Sequence, residues 1–345
     1  MSRMEWNDSG RKKFHTVLFT LIILTVFMAL AALCIGRYTL SVPEVVRIIA
    51  SRFMSIEADW GPQAESVVLN LRLPRIAGSF LVGGSLALAG AAYQGIFKNP
   101  LVSPDLLGVS SGACVGAASA ILLGFHAVAI QFSAFFMGII TVFLVMLLPR
   151  ILKNDSITVL VFSGVIVSGV MNALMGMLKY VADPETELAA ITYWQLGSMA
   201  KVMNSDVIMV VPLIIISVIV VLVLRWRINL LSLGEAEAKT MGVNTKRLRW
   251  GIIVCSTMLT ACSVCLCGTV GWIGLVIPHL SRMFVGPNTE KSLPVAFVLG
   301  GVFLMLIDTM ARSLTSGEIP LSVLTGLIGA PFFFYVLSKQ RTKLS

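Results

Sequence analysis

The sequence is poor in charge. Asp, Glu, Lys and Arg make up 12% of its 345 residues, about half the share of a soluble domain, while 57% are hydrophobic and mean hydropathy is +0.91. No Gly-Lys dipeptide occurs, so a phosphate-cradling P-loop cannot be built and the chain carries no nucleotide engine of its own. No H-E-x-x-H motif is present. The three histidines, His15, His126 and His279, are too scattered to assemble a metal or acid–base centre. Cysteine gives no disulfide framework either: Cys34, Cys114, Cys255, Cys262, Cys265 and Cys267 all lie in apolar runs. The C-x-x-C-x-C spacing over 262–267 has no histidine or carboxylate beside it, and small polarizable residues pack well between helices, so no metal is expected there. No linker, composition shift or internal repeat marks a second domain.

Long uncharged blocks are what the chain has instead. Val17–Ile35 and Ile157–Leu178 reach the length, about 18 residues, that reads as a bilayer span. Seven more follow the same pattern: Ile76–Tyr93, Leu106–Gly124, Phe132–Leu148, Val207–Leu224, Gly251–Val270, Ser292–Ala311 and Ile319–Ser338. Both ends are basic, through Arg3, Arg11, Lys12 and Lys13 at the start and Lys339, Arg341 and Lys343 at the finish. If both are cytoplasmic, the number of spans is even. The tenth is expected at Trp272–Val285, short and interrupted by Pro278 and Arg282, a break tolerated only where protein or a watery cavity satisfies the freed backbone groups.

Ten spans place 18 Lys and Arg inside and 8 outside, so the net charge of +9 is topology charge and not a nucleic-acid footprint. The expected fold is all-α and polytopic, with ten transmembrane helices and both termini cytoplasmic. Residues 1–345 then form one domain: a tail over 1–16, a core over 17–338 and a cytoplasmic connection over 225–250. The basic start also resembles a secretory signal, with Ala29-Leu30-Ala31 as a cleavage site. Nineteen uncharged residues are long for a signal core, and Leu33 before Cys34 opposes lipoprotein processing, so an uncleaved first span fits better.

Several segments stand out against this background. Gly108, Gly112 and Gly116 recur every fourth residue and line one helix face, either for close helix packing or along a pathway. The outer connection 36–75 holds an interfacial helix, with Val42, Val45, Val46, Ile49 and Phe53 as its apolar face. Asn229–Arg249 reads as two short amphipathic helices broken at Gly242, resting on the membrane or docking into a groove on a soluble partner. Arg72 and Arg75 flank Pro74 on the outer side, with Arg312 beyond the ninth span. Basic residues are disfavoured there, so they either snorkel to lipid phosphate or dock carboxylates of an external partner. Asp308 is the one acid inside a span; it stands one helical turn before Arg312, and the two are expected to neutralise each other.

Five ordered motifs resemble the permease family of bacterial importers for iron chelates, haem and vitamin B12, the large-fold ABC importers. Leu71-Arg72-Leu73-Pro74-Arg75 is similar to that family's entry to the second span, and Gly84–Gln94, Asn99-Pro100-Leu101 and Leu107-Gly108-Val109-Ser110 to its most distinctive stretch. Gly234-Glu235, Ala238 and Met241-Gly242-Val243 resemble its coupling segment, where leucine is commoner than Met241. Gly271–His279 with Arg282 resembles G-F-I-G-L-x-x-P-H-x-x-R, with Trp272 for Phe, and Glu318-Ile319-Pro320 and Gly329-Ala330-Pro331 resemble the tail. The resemblance covers roughly residues 65–340.

It implies a non-enzymatic permease in the bacterial inner membrane, paired with a second copy or a paralogue. Separate ATPase subunits would bind the ATP, so the chain itself needs no cofactor, and an extracytoplasmic binding protein would deliver the cargo. Gly234, Glu235, Ala238, Met241, Gly242 and Val243 would then seat in the ATPase, and Arg72, Arg75 and Arg312 would meet glutamates of the binding protein. Ferric siderophore is the expected cargo on family frequency, with haem and cobalamin behind it. An ion-coupled secondary transporter is the rival from another class; it needs charges paired along a path, and only Asp308 offers itself.

Overall fold

The structure, a computed structural model, describes residues 3–36, 38–55, 57–154, 156–315 and 317–341. Lys343 lies outside them, as do the side chains of Arg3, Leu233, Lys339 and Arg341. The described residues contain helices and no strand. In chain order these are α1 (Arg3–Cys34), α2 (Val42–Ala50), α3 (Pro62–Ser66), a π-helical turn (Val67–Arg72), α4 (Leu73–Phe97), a 3-10 turn (Pro104–Leu107), α5 (Val109–Leu122), α6 (Ala127–Ile151), α7 (Ile157–Val181), α8 (Glu187–Leu196), α9 (Asn204–Leu233), α10 (Glu235–Thr240), α11 (Thr245–Cys267), α12 (Ile273–Val285), α13 (Thr289–Ser313) and α14 (Leu321–Arg341). Seven are long and apolar enough to cross a bilayer: α1, the continuous rod Pro62–Phe97, α6, α7, α9, α11 and α13. Among the described residues α5, α12 and Leu321–Val336 of α14 are apolar but shorter.

Helix ends outrun the apolar blocks because polar caps set them. Asn244 accepts the Arg247 N–H at 3.0 Å and starts α11 two turns before its apolar run, and Asn288 does the same for α13 through the Glu290 N–H at 2.8 Å. Conversely, the block expected from Leu106 starts as a helix only at Val109, because the Pro104 turn and Gly108, at φ +74°, occupy its first residues.

α4 is the central helix, buried along nearly its whole length. Small residues let its neighbours approach: a Cβ at Gly83 would lie 2.2 Å from the Gly300 carbonyl of α13, and one at Gly90 would lie 1.9 Å from the Gly274 carbonyl of α12. Without a hydrophobic force between helices in lipid, backbone proximity of this kind supplies much of the association energy through packing.

A helix, α2, forms in the 36–75 connection as expected, but it is buried through a different face. Val45 and Ile48 are buried against α1 and the π-helical turn, whereas Val42, Val46 and Phe53 of the expected apolar face are exposed. Two residues at i and i+3 suffice to fix so short a helix, and Phe53 falls beyond its last turn.

Candidate functional site

Pro74 has no N–H to donate and crowds the preceding turn. The chain answers by widening: the Leu73 N–H reaches back to the Val68 carbonyl in a π-type bond. Arg72 and Arg75, one on each side of this proline, both turn inward. Arg72, Arg75 and Arg312 are only 5, 8 and 9% exposed.

Each guanidinium finds an acceptor within the chain, although Arg312 Nε is buried without one. The last four carbonyls of α1 have no partner within the helix. Ile35 N–H satisfies Ala31 at 2.8 Å, Arg312 donates to Ala32, and Arg72 donates to Leu33, to Cys34 at 3.4 Å and, past the helix, to Tyr38. Two arginines, from the start of α4 and the end of α13, therefore cap the negative end of α1's dipole. Gly36 completes the seat, since a Cβ there would come within 2.7 Å of Arg72 Nη2 and 2.9 Å of Arg312 Nη1.

Arg75 joins the same layer to the next loop. Its Nε donates to both oxygens of Asp308, at 3.0 and 2.8 Å, and its two terminal nitrogens donate to the two oxygens of Glu318, at 2.7 and 2.9 Å. Asp308 is 2% exposed. The ion pair expected between Asp308 and Arg312 is thus replaced: Asp308 pairs with Arg75 across the α4–α13 interface, and Arg312 turns to α1. Fork geometry explains the preference, because an arginine from a facing helix presents two parallel N–H groups that an i+4 neighbour cannot aim. At all three positions the guanidinium group turns inward to acceptors within the chain. Their sequence signature, arginine on the disfavoured side, is the same whether the acceptors are external or internal. Glu318, which completes the cluster, had only its place in the tail motif to mark it.

The segment expected as two short helices broken at Gly242 holds one short helix, α10, between the end of α9 and the start of α11. α9 runs on to Leu233 and carries Leu230 and Leu231 into the core. Gly234 then breaks the chain at φ +151°, ψ +153°, a conformation essentially confined to glycine. α10 follows, and Gly242 at φ +81° turns the chain into the Asn244 cap of α11. Ala238 and Val243 are buried and joined by the Val243 N–H to Ala238 carbonyl bond, 3.0 Å, while Met241 faces outward. Glu235 is held by Arg249 of α11. A six-residue helix is thus slung between two glycine hinges with one ion pair as its stay.

The glycine stripe of α5 faces its neighbours. A Cβ at Gly108 would meet Ser168 of α7, one at Gly112 Thr141 of α6, and one at Gly116 the Ser133 carbonyl of α6, each within 2.6 Å. Arg282 of α12 donates to Gln94 of α4 at 2.7 Å, and Gln94 in turn donates to the Val102 carbonyl at 3.1 Å, which ties α12 and the 98–103 loop to the central helix. The cysteines are free thiols, and among the described residues no cluster could hold a metal.

The fold is a helical membrane bundle with a short helix, α10, hung between two glycines, and with a buried arginine–carboxylate cluster joining α1, α4 and α13. The FecCD transport family matches residues 22–339, and the chain belongs to it: it is an ABC importer permease of the FecCD type. It is 43% identical over 329 residues to the molybdate import system permease protein MolB of Haemophilus influenzae, covering 95% of this chain and 97% of the relative. A Helicobacter pylori relative named "Probable iron chelatin transport system permease protein" is 37% identical, with 96% of this chain and 99% of the relative covered. A solved structure titled "An inward-facing conformation of a putative metal-chelate type ABC transporter" superposes with TM-score 0.85 at 40% identity, over 94% of this chain and 99% of the other.

Proposed function

We propose that this chain is a ten-span gate, with both termini cytoplasmic, that moves a ferric-siderophore-type chelate inward by alternating access. The seven long apolar helices and the three shorter ones supply ten crossings, in keeping with the charge asymmetry of the loops. In this reading two permease copies, or one copy and a paralogue, enclose the pathway in the bacterial inner membrane. Separate ATPase subunits bind ATP, and an external binding protein delivers the cargo. The hinged α10 carries the reading. Its segment Gly234–Val243 seats in the ATPase through Glu237, Lys239 and Met241, while buried Ala238 and the Glu235–Arg249 pair return the movement to α9 and α11. Packed helices switch between arrangements more readily than they deform. Arg72, Arg75 and Arg312 hold α1, α4 and α13 in register beneath the face where the binding protein docks.

A second cargo reading, an oxyanion such as molybdate, is favoured by the 43% identity to a molybdate permease; haem and cobalamin follow. Reconstitution with the ATPase and binding protein tests both levels. ATP-dependent uptake of a labelled ferric chelate in proteoliposomes is expected. Uptake of labelled molybdate with no chelate uptake would replace the cargo, and uphill uptake by the permease alone would overturn the gate and install the secondary transporter.

A further inference from the structure

Two adjoining pockets, of about 220 and 430 Å³, open where α6 ends and α7 and α11 begin, and they share Lys246 and Trp250. The smaller has a buried apolar floor of Met146, Pro149, Leu160 and Ile253. Its surroundings are cationic. Arg150 closes α6, and Arg247 and Arg249 lie in the first two turns of α11, whose N-terminus adds the positive end of a 23-residue helix dipole.

The Arg150 guanidinium sits over the Trp250 ring, 4.5 Å from its centroid. Stacking occupies the guanidinium face and leaves its edge N–H groups available to a phosphate. Arg247 is exposed, and Arg249, though bound to Glu235, keeps a wholly buried Nε without an acceptor. Glu235 and Lys239 of α10 also line the smaller pocket; Glu235 is engaged by Arg249, and the Glu237 carboxylate lies beside Gly234. Helix ends with tryptophan and arginine mark the level of the membrane surface. An apolar floor beneath a basic rim at that level matches a phospholipid's glycerol and first acyl carbons beneath its phosphate.

We propose that this rim binds the headgroup phosphate of an anionic phospholipid, held by Arg150 and Arg247, with the apolar floor receiving the upper acyl chain. The site rests on these helix ends lying at a membrane surface and is independent of the cargo.

The test is lipid retention by the full chain in neutral detergent, read by native mass spectrometry during titration with cardiolipin, phosphatidylglycerol or phosphatidylcholine. Saturable retention of the anionic lipids is expected, about fivefold weaker in Arg247→Ala and about 30-fold weaker in Arg150→Ala/Arg247→Ala, with Arg150→Lys between. If the double variant fails to fold, Arg247→Ala alone decides, since that side chain is exposed. Undiminished retention by the variants, or equal retention of phosphatidylcholine, would overturn the site. Displacement of all bound lipid by millimolar inorganic phosphate would reassign it to a free anion. Lipid binding kept by the double variant while ATPase co-purification is lost would reassign the rim to a protein partner.

Discussion

Removing the Asp308 carboxylate should unlock one end of the bundle. In Asp308→Ala, Arg75 loses both bonds from Nε and is left with Glu318, whose side chain is 33% exposed against 3% for Asp308. Breaking a buried pair by deleting one partner costs about 3–5 kcal/mol, because the survivor's charge stays desolvated. Glu318→Ala should cost much less, about 1 kcal/mol, since water already reaches that carboxylate. Replacing both members of the buried pair, as in Arg75→Met/Asp308→Leu, should recover most of the loss, because no uncompensated charge remains. Thermal unfolding in detergent can be followed with a thiol-reactive dye, since Cys114, Cys262, Cys265 and Cys267 are buried free thiols that label only on opening. Asp308→Ala melting alongside the unsubstituted chain, or the double variant melting below Asp308→Ala, would refute this account.

Gly90→Ala gains about 1 kcal/mol of helix propensity but drives a methyl to 1.9 Å from the Gly274 carbonyl, so α4 and α12 must separate and the same dye assay should show net destabilisation. Asp183 accepts bonds from the Thr186 hydroxyl and N–H and from the Glu185 N–H, and the Thr186 hydroxyl foremost holds its carboxyl below the ordinary aspartate range. A depressed acid stabilises above its unfolded value, about 3.9, so amide exchange at Glu185 and Thr186, corrected for intrinsic rates, should accelerate only as pH falls below that. Gly242 has open space where a Cβ would go but sits at φ +81°, so Gly242→Asn should keep ATP-coupled uptake better than Gly242→Val, because asparagine tolerates the left-handed region and a β-branched residue does not. Equal coupling in the two would remove the hinge from the mechanism.

Helices and their order were legible because a bilayer span advertises itself by length and absence of charge, and a helix, α12, stands where the short block interrupted by Pro278 was read. Helix ends were less so. Asn244 and Asn288 act through one hydrogen bond each, and nothing in an apolar average registers that. The segment Gly234–Val243 was marked by motif, yet its geometry was misjudged, since Gly242 was taken as its break and Gly234 is the stronger one. Glycine in sequence announces permission for positive φ and not its use.

The arginine cluster shows where such reading stops. A cation on the outer side must be compensated by lipid, by a partner or by the protein, and each alternative leaves the same residue type at the same position. What decides among them is the direction of the side chain, and that is set by the π-type turn forced by Pro74 and by four orphan carbonyls ending α1. Every helix ends with such carbonyls, so no sequence pattern distinguishes the one that recruits two arginines. Three cations exceed Asp308 and Glu318 by one charge, and that backbone end, worth about half a negative charge, offsets about half of the excess. An inventory of side-chain charges therefore misses the backbone end that partly compensates this cluster and lets it be buried.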